Sequence, residues 1–150
     1  MTAANHALTG AIIGLSIHQP VVAVPLAFSA HYIMDAIPHF GGVWRLGSKA
    51  FLRYLAVETG LCVGIVLVLF VLQPSYWWLG AICAFAAASP DFMWVGKFLA
   101  ARSGKTTKEP KNWLIRLHKN IQWFERPIGW VVELAWAAGA LSLLANIVAS

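Results

Sequence analysis

Apolar residues in this chain come in long runs, and polar residues are confined to the gaps and to a few isolated positions within the runs. Five runs stand out, at 4–17, 21–38, 51–72, 76–88 and 128–148. Their lengths approach the roughly 20 residues of a bilayer-crossing helix, although the first is short for a full span. The fourth has room to continue past Pro90. Two proline-containing triplets, "HQP" at 18–20 and "QPS" at 73–75, are tight turns that fold the first four runs into two hairpins. Between Trp113 and Phe124, "WLIRLHKNIQWF" sets apolar residues at helical spacing among Arg116, Lys119 and Asn120. That pattern predicts an amphipathic helix lying on a membrane surface. The expected fold is therefore all-α, a polytopic membrane helix bundle of about five transmembrane segments plus a cytoplasmic amphipathic helix.

Composition supports this reading. Of 150 residues, 59% are hydrophobic and 11% charged, where a soluble domain carries about 25% charged residues. The length suits one membrane-embedded domain, 1–150, divided into a hairpin at 4–39, a hairpin at 51–100, an interfacial segment at 101–126 and a last helix at 127–149. The first run lacks a basic leader and a cleavage site, so it is read as retained rather than as a signal peptide. Cys62 and Cys83 match no redox or zinc spacing and read as buried thiols. Each hairpin ends in a similar phrase, "IPHF" and "SPDF", a faint sign of duplication.

Charge sets the orientation. Arg45, Lys49 and Arg53 lie between runs two and three, and the other eight Lys and Arg, from Lys97 through Lys105, Lys108 and Lys111 to Arg126, lie between runs four and five. The short turns carry none. By the positive-inside rule both basic stretches face the cytoplasm, and so does the N-terminus. A multi-pass protein of a bacterial inner membrane is expected. Its basic surface suits anionic lipid headgroups, and nucleic acid is not expected as a partner. Tryptophans 77, 78, 94, 113 and 123 fall at expected interfaces, as an aromatic belt does.

Once sidedness is fixed, each potential ligand acquires a depth. "AHYIMDAIPHF" at 30–40 places His31, Asp35 and His39 four residues apart at the cytoplasmic end of run two. His6, Asp91 and His118 fall at the same level, while Glu58 and Glu133 lie about 10 Å deeper at the helical rise. Only His18 lies on the other side, and it is left out. A carboxylate within a span costs at least about 2–3 kcal/mol and needs a partner or a wet cavity. Asp35, Glu58 and Glu133 have almost no basic partner at their own depth, and a divalent cation would compensate several at once. His31 and Asp35 share a helix face at i, i+4 and can reach one ion, while His39, a turn on and past Pro38, suits a second ion or the open end of the site. Mixed His and carboxylate ligands favour zinc, with manganese or iron as alternatives, as one or two ions. Plainer uses exist: His6 capping a helix start, His118 among headgroups, Glu58 or Glu133 protonated and bonded across helices, and Asn5 as an N-cap.

At "NHALTG" (5–10), "HYIMDAIPH" (31–39), "SPD" (89–91) and "LHKNIQWFE" (117–125) the chain resembles bacterial inner-membrane proteins classed as membrane-bound metal-dependent hydrolases. That resemblance implies His6, His31, Asp35, His39, Asp91 and His118 as metal ligands. A more distant similarity is to zinc-dependent phospholipases C, which are helical and use His and Asp ligands from several helices but are not membrane-embedded.

The expected function is hydrolysis of a phosphoester in a lipid or isoprenoid-phosphate substrate at the cytoplasmic interface. Glu58 or Glu133 would serve as general base, and Arg45, Lys49 and Arg53 would attract the phosphate. Membrane lipids are the expected partners, and a homo-oligomer is compatible with the pattern. The alternative is a non-enzymatic divalent-metal carrier or metal-stabilised scaffold using the same residues, or a structural subunit binding a partner helix. The outer halves of runs three and five offer almost nothing polar for a transport path. The chain has no G-x-S-x-G, no positioned Cys–His pair and no glycine-rich phosphate loop, so serine, cysteine and nucleotide chemistry are poor readings.

Overall fold

Strong helix punctuation sits where the apolar runs break. The computed structural model describes residues 1–41, 45–104 and 112–149, so Lys105, Lys108 and Lys111 lie outside the described residues. Helix α1 covers Ala3–Ser16 and α2 Pro20–Asp35. Pro20 opens α2 at a position where a missing N–H costs nothing, and the helix stops short of Pro38. Helix α3, Lys49–Leu72, starts at Ser48, whose hydroxyl accepts the Phe51 N–H at 3.1 Å, and ends at Gln73 in the left-handed region (φ +45°) before Pro74. Helix α4, Trp77–Ala88, tightens through a 3-10 turn at Ser89–Trp94, where Pro90 interrupts the α ladder, and continues as α5, Val95–Arg102. Helix α6, Trp113–Ile121, is capped by Asn112, and α7 covers Trp130–Ala149. Two-residue strands β1 (His39–Phe40) and β2 (Glu125–Arg126) pair in parallel, His39 opposite Glu125.

The all-α class holds. Three helical stretches are long and apolar enough to cross a membrane: Lys49–Leu72, Trp77–Arg102 and Pro127–Ala149. The first two runs do not reach that length. With 14 and 16 residues, α1 and α2 extend about 21 and 24 Å against a hydrocarbon layer of roughly 30 Å.

Helix α1 is instead the centre of the bundle, touching α2, α3, α4 and α7. Its glycines let α4 come to backbone contact: a Cβ at Gly10 would lie 2.2 Å from the Cys83 carbonyl oxygen, and one at Gly14 would lie 2.5 Å from that of Leu79. This is the small-residue spacing by which membrane helices pack closely. Gly10→Val is expected to cost about 2–3 kcal/mol by overpacking, read as a lower melting temperature in detergent. Gly60→Ala, where nothing lies within 4 Å of the added carbon, should leave melting unchanged. Equal melting of both variants would refute the close α1–α4 packing.

The two turns meet at one end of the bundle, where His18 stacks on Tyr76 with ring centroids 4.1 Å apart. Connectivity then collects the start of α1, the end of α2, the start of α3, the end of α5, all of α6 and the start of α7 at the opposite end. Every chemically distinctive polar residue except His18 belongs to that end.

Candidate metal centre

His31 and Asp35 project from consecutive turns of α2, Asp91 from the 3-10 turn after α4, and His118 from the inner face of α6. One ligand atom from each lies within 4.8 Å of all the others. Nε2 of His118 is 2.8 Å from Asp35 Oδ2 and 3.1 Å from Nε2 of His31, which is itself 3.3 Å from Asp35 Oδ2. Asp91 Oδ1 stands 3.8 Å from both imidazole nitrogens. His31, Asp35 and His118 are fully buried, and Asp91 is the partly open member.

The proton inventory of this group is what makes it informative. His31 Nδ1 lies 2.7 Å from the Ala87 carbonyl oxygen. A carbonyl only accepts, so Nδ1 carries the hydrogen and Nε2 of the neutral ring is a bare lone pair. That lone pair points at two carboxylate oxygens and a second imidazole nitrogen. Such a convergence in a buried place suits a shared cation. A tetrahedral shell with bonds of about 2.0–2.1 Å sets ligand atoms roughly 3.3–3.4 Å apart, and the observed separations straddle that spacing. The Ala87 bond also matches the outer-shell orientation of metal-binding histidines. The residues therefore fit a divalent ion.

His6 adjoins the group without converging on it. Its ring stacks on His31 at 3.9 Å, Nε2 lies 3.1 Å from Asp35 Oδ1, and its buried Nδ1 has no partner among the described residues. The α-ammonium of Met1 also reaches Asp35 Oδ1. His39, buried in β1 beyond the proline, turns Nδ1 to its own turn, 2.8 Å from the Ile37 carbonyl. The resemblance implied six ligands, and the structure brings four of them together.

Glu58 and Glu133 take different places. Glu133 accepts from four donors: the Thr2 N–H at 3.0 Å, the Thr2 hydroxyl at 2.9 Å, the Asn5 amide at 2.5 Å and the Phe40 N–H at 3.3 Å. It ties the start of α1 and strand β1 to α7. Asn5 is thus a cross-helix donor rather than an N-cap. Glu58 accepts one bond, from the Ala4 N–H at 3.0 Å, and otherwise faces a cavity. Arg45, Lys49 and Arg53 are exposed, and none lines that cavity.

Gln122 belongs to the site and was not anticipated. Its amide nitrogen lies 3.2 Å from Asp35 Oδ2 and 3.1 Å from His118 Nε2. The one available signal is its position four residues after His118. No family model, no curated protein and no solved structure matches the chain.

Proposed function

We propose that the protein is a membrane-embedded metal-dependent hydrolase of a phosphoester in a lipid or isoprenoid-phosphate substrate, of the membrane-bound hydrolase type its motifs resemble. The reading places it in a bacterial inner membrane with the ligand-bearing end at the cytoplasmic face, α1 at the centre of the bundle and α2 packed on its outer side with Val21 and Ile33 facing outward. One observation carries it: the His31–Asp35–Asp91–His118 group opens, through Asp91, onto a cavity that also contains an under-used carboxylate. Structural metal sites are closed, whereas catalytic ones keep an open side.

A divalent ion, zinc by the donor set, supplies Lewis-acid polarisation and an acidified water when bound there. His31, Asp35 and His118 hold the ion from the buried side, and Ala87 fixes the His31 tautomer. Glu58, with one donor and a face on the cavity, is the better general base of the two glutamates; Glu133 has no lone pair to spare. The Gln122 amide donates toward the same space and orients an ester oxygen. Arg45, Lys49 and Arg53 draw anionic headgroups to the surface without contacting the bond to be cleaved.

The test is phosphate or headgroup release from lipid extracts by metal-loaded protein, abolished by chelation and restored by zinc. Glu58→Gln is expected to cut turnover by about 100-fold or more while metal content and melting stay near wild type. Unchanged turnover removes Glu58 from the base role. A scaffold reading is favoured by the way the group ties α2, the 3-10 turn after α4 and α6 together; stoichiometric metal with no release from any extract would establish it instead.

A further inference from the structure

Helix α3 and the α4–α5 stretch touch at two places and part between them. Phe51 meets Phe98 at the ligand-bearing end, with centroids 5.7 Å apart, and Phe70 meets Trp77 near the turn end at 5.5 Å. Between these contacts lies a cavity of about 620 Å³, mostly apolar in lining. On α3 its wall recurs at helical spacing from Phe51 to Leu67, one continuous stripe. Small residues, Ala7 on α1 and Ala84 and Ala88 on α4, keep the space open.

The cavity is amphipathic along its length. Glu58, Asp91 and Gln122 line one part, and Asp91 and Gln122 also touch the metal-binding group. Val63, Val66, Leu67 and Phe85 line the other. From Glu58 to Leu67 is nine residues, about 14 Å at the helical rise.

We propose that this slot holds one hydrocarbon chain of the substrate, its phosphoester at the Asp91 end and its tail against Val66 and Leu67. The inference rests on the hydrolase reading and narrows its substrate class: a lipid phosphate presented through a single extended chain, selected by tail length. The polar end abuts the cation site, so an anionic headgroup is the complementary cap for an apolar tail. A second copy of this chain offers no such pairing, because a helix inserted here would set its own backbone and side chains against Glu58 and Asp91.

The experiment uses full-length, zinc-loaded protein in phosphatidylcholine nanodiscs with decyl phosphate carrying a diazirine at its terminal carbon. Irradiation is expected to place adducts on the 62–67 stretch of α3 and on Phe85. Unlabelled decyl phosphate should compete, and inorganic phosphate or decanol alone should not. Val66→Trp, which fills the slot, should lower adduct yield about tenfold at unchanged metal content. Leu67→Ala, which lengthens it, should shift preference toward dodecyl phosphate, so the proposal does not hang on one variant. Adducts scattered over lipid-facing α2 and α7, competition by decanol, or indifference to both variants overturns the slot. So does oxidative dimerisation through Cys62 in place of lipid adducts, which gives the slot to a second copy. Slot adducts on a phosphate ester that is never cleaved sustain the chain site and reject hydrolysis. Cleavage of glycerol phosphate without chain adducts does the reverse.

Discussion

Replacing Asp35 with alanine is expected to abolish metal uptake by the His31–Asp35–Asp91–His118 group and to loosen the ligand-bearing end of the bundle. Its Oδ1 meets His6 and the Met1 ammonium, and its Oδ2 meets His31, His118 and Gln122. Asp35 thus joins α1, α2 and α6 at one point through both of its carboxylate oxygens. Outer-shell partners alone are worth about 10–100-fold in metal affinity, so losing a direct ligand should cost at least about 100-fold. Stripping the anion from a buried ionic cluster should also cost roughly 3–5 kcal/mol of stability. Elemental analysis and thermal melting of purified Asp35→Ala read the two effects. Asp35→Asn separates them, because it keeps the shape and one acceptor while removing the charge. Its metal content should fall steeply and its melting less so. Full metal occupancy in Asp35→Asn would end the case for this group as a cation site.

Much of that site was visible in the sequence because two physical constraints act on sequence directly. Helical spacing puts His31 and Asp35 on one face whatever surrounds them, and the distribution of Arg and Lys assigns each run's ends a side. Those two rules suffice to bring His118 and Asp91 to the same level. They do not fix azimuth around each helix, so they cannot separate His6 and His39, which stand at the same level, from the four residues that converge. Pro38 ends α2 and swings His39 into a strand; His6 is one helix removed, behind Asp35. Gln122 escaped notice since an amide four residues after a histidine is unremarkable until α6 is docked against α2. The cavity was equally invisible, because it exists through the smallness of Ala84 and Ala88 opposite α3, a property of two helices at once. Of the five apolar runs, three give helices long enough to cross a membrane; apolar content does not separate these from α1, whose apolar residues are buried inside the bundle, because burial against helices and burial in lipid look alike in sequence.

The same limit applies to the two deep glutamates, which sequence depth could not tell apart and which hydrogen bonding separates. Glu133→Ala is expected to lower melting by roughly 6–12 °C, the equivalent of about 3 kcal/mol in a chain this size. Its four donors include the backbone N–H groups of Thr2 and Phe40, each of which loses this acceptor once the carboxylate is gone. The start of α1 carries His6 and packs beneath the metal-binding group, so metal retention should weaken as a secondary effect, recoverable at higher zinc concentration. Glu133→Gln should recover only part of the loss, since its amide nitrogen would face donors where a carboxylate oxygen accepted. Glu58→Gln is the counterpart: its amide oxygen can keep the one bond, from the Ala4 N–H, so it should melt close to wild type while, on the hydrolase reading, turnover collapses. On the hydrolase reading the two variants therefore separate, Glu133 affecting stability and Glu58 turnover. If Glu133→Gln proved stable but inactive, and Glu58→Gln unstable but active, the roles would have to be interchanged. Saturation by four donors would then be no bar to proton transfer in this site.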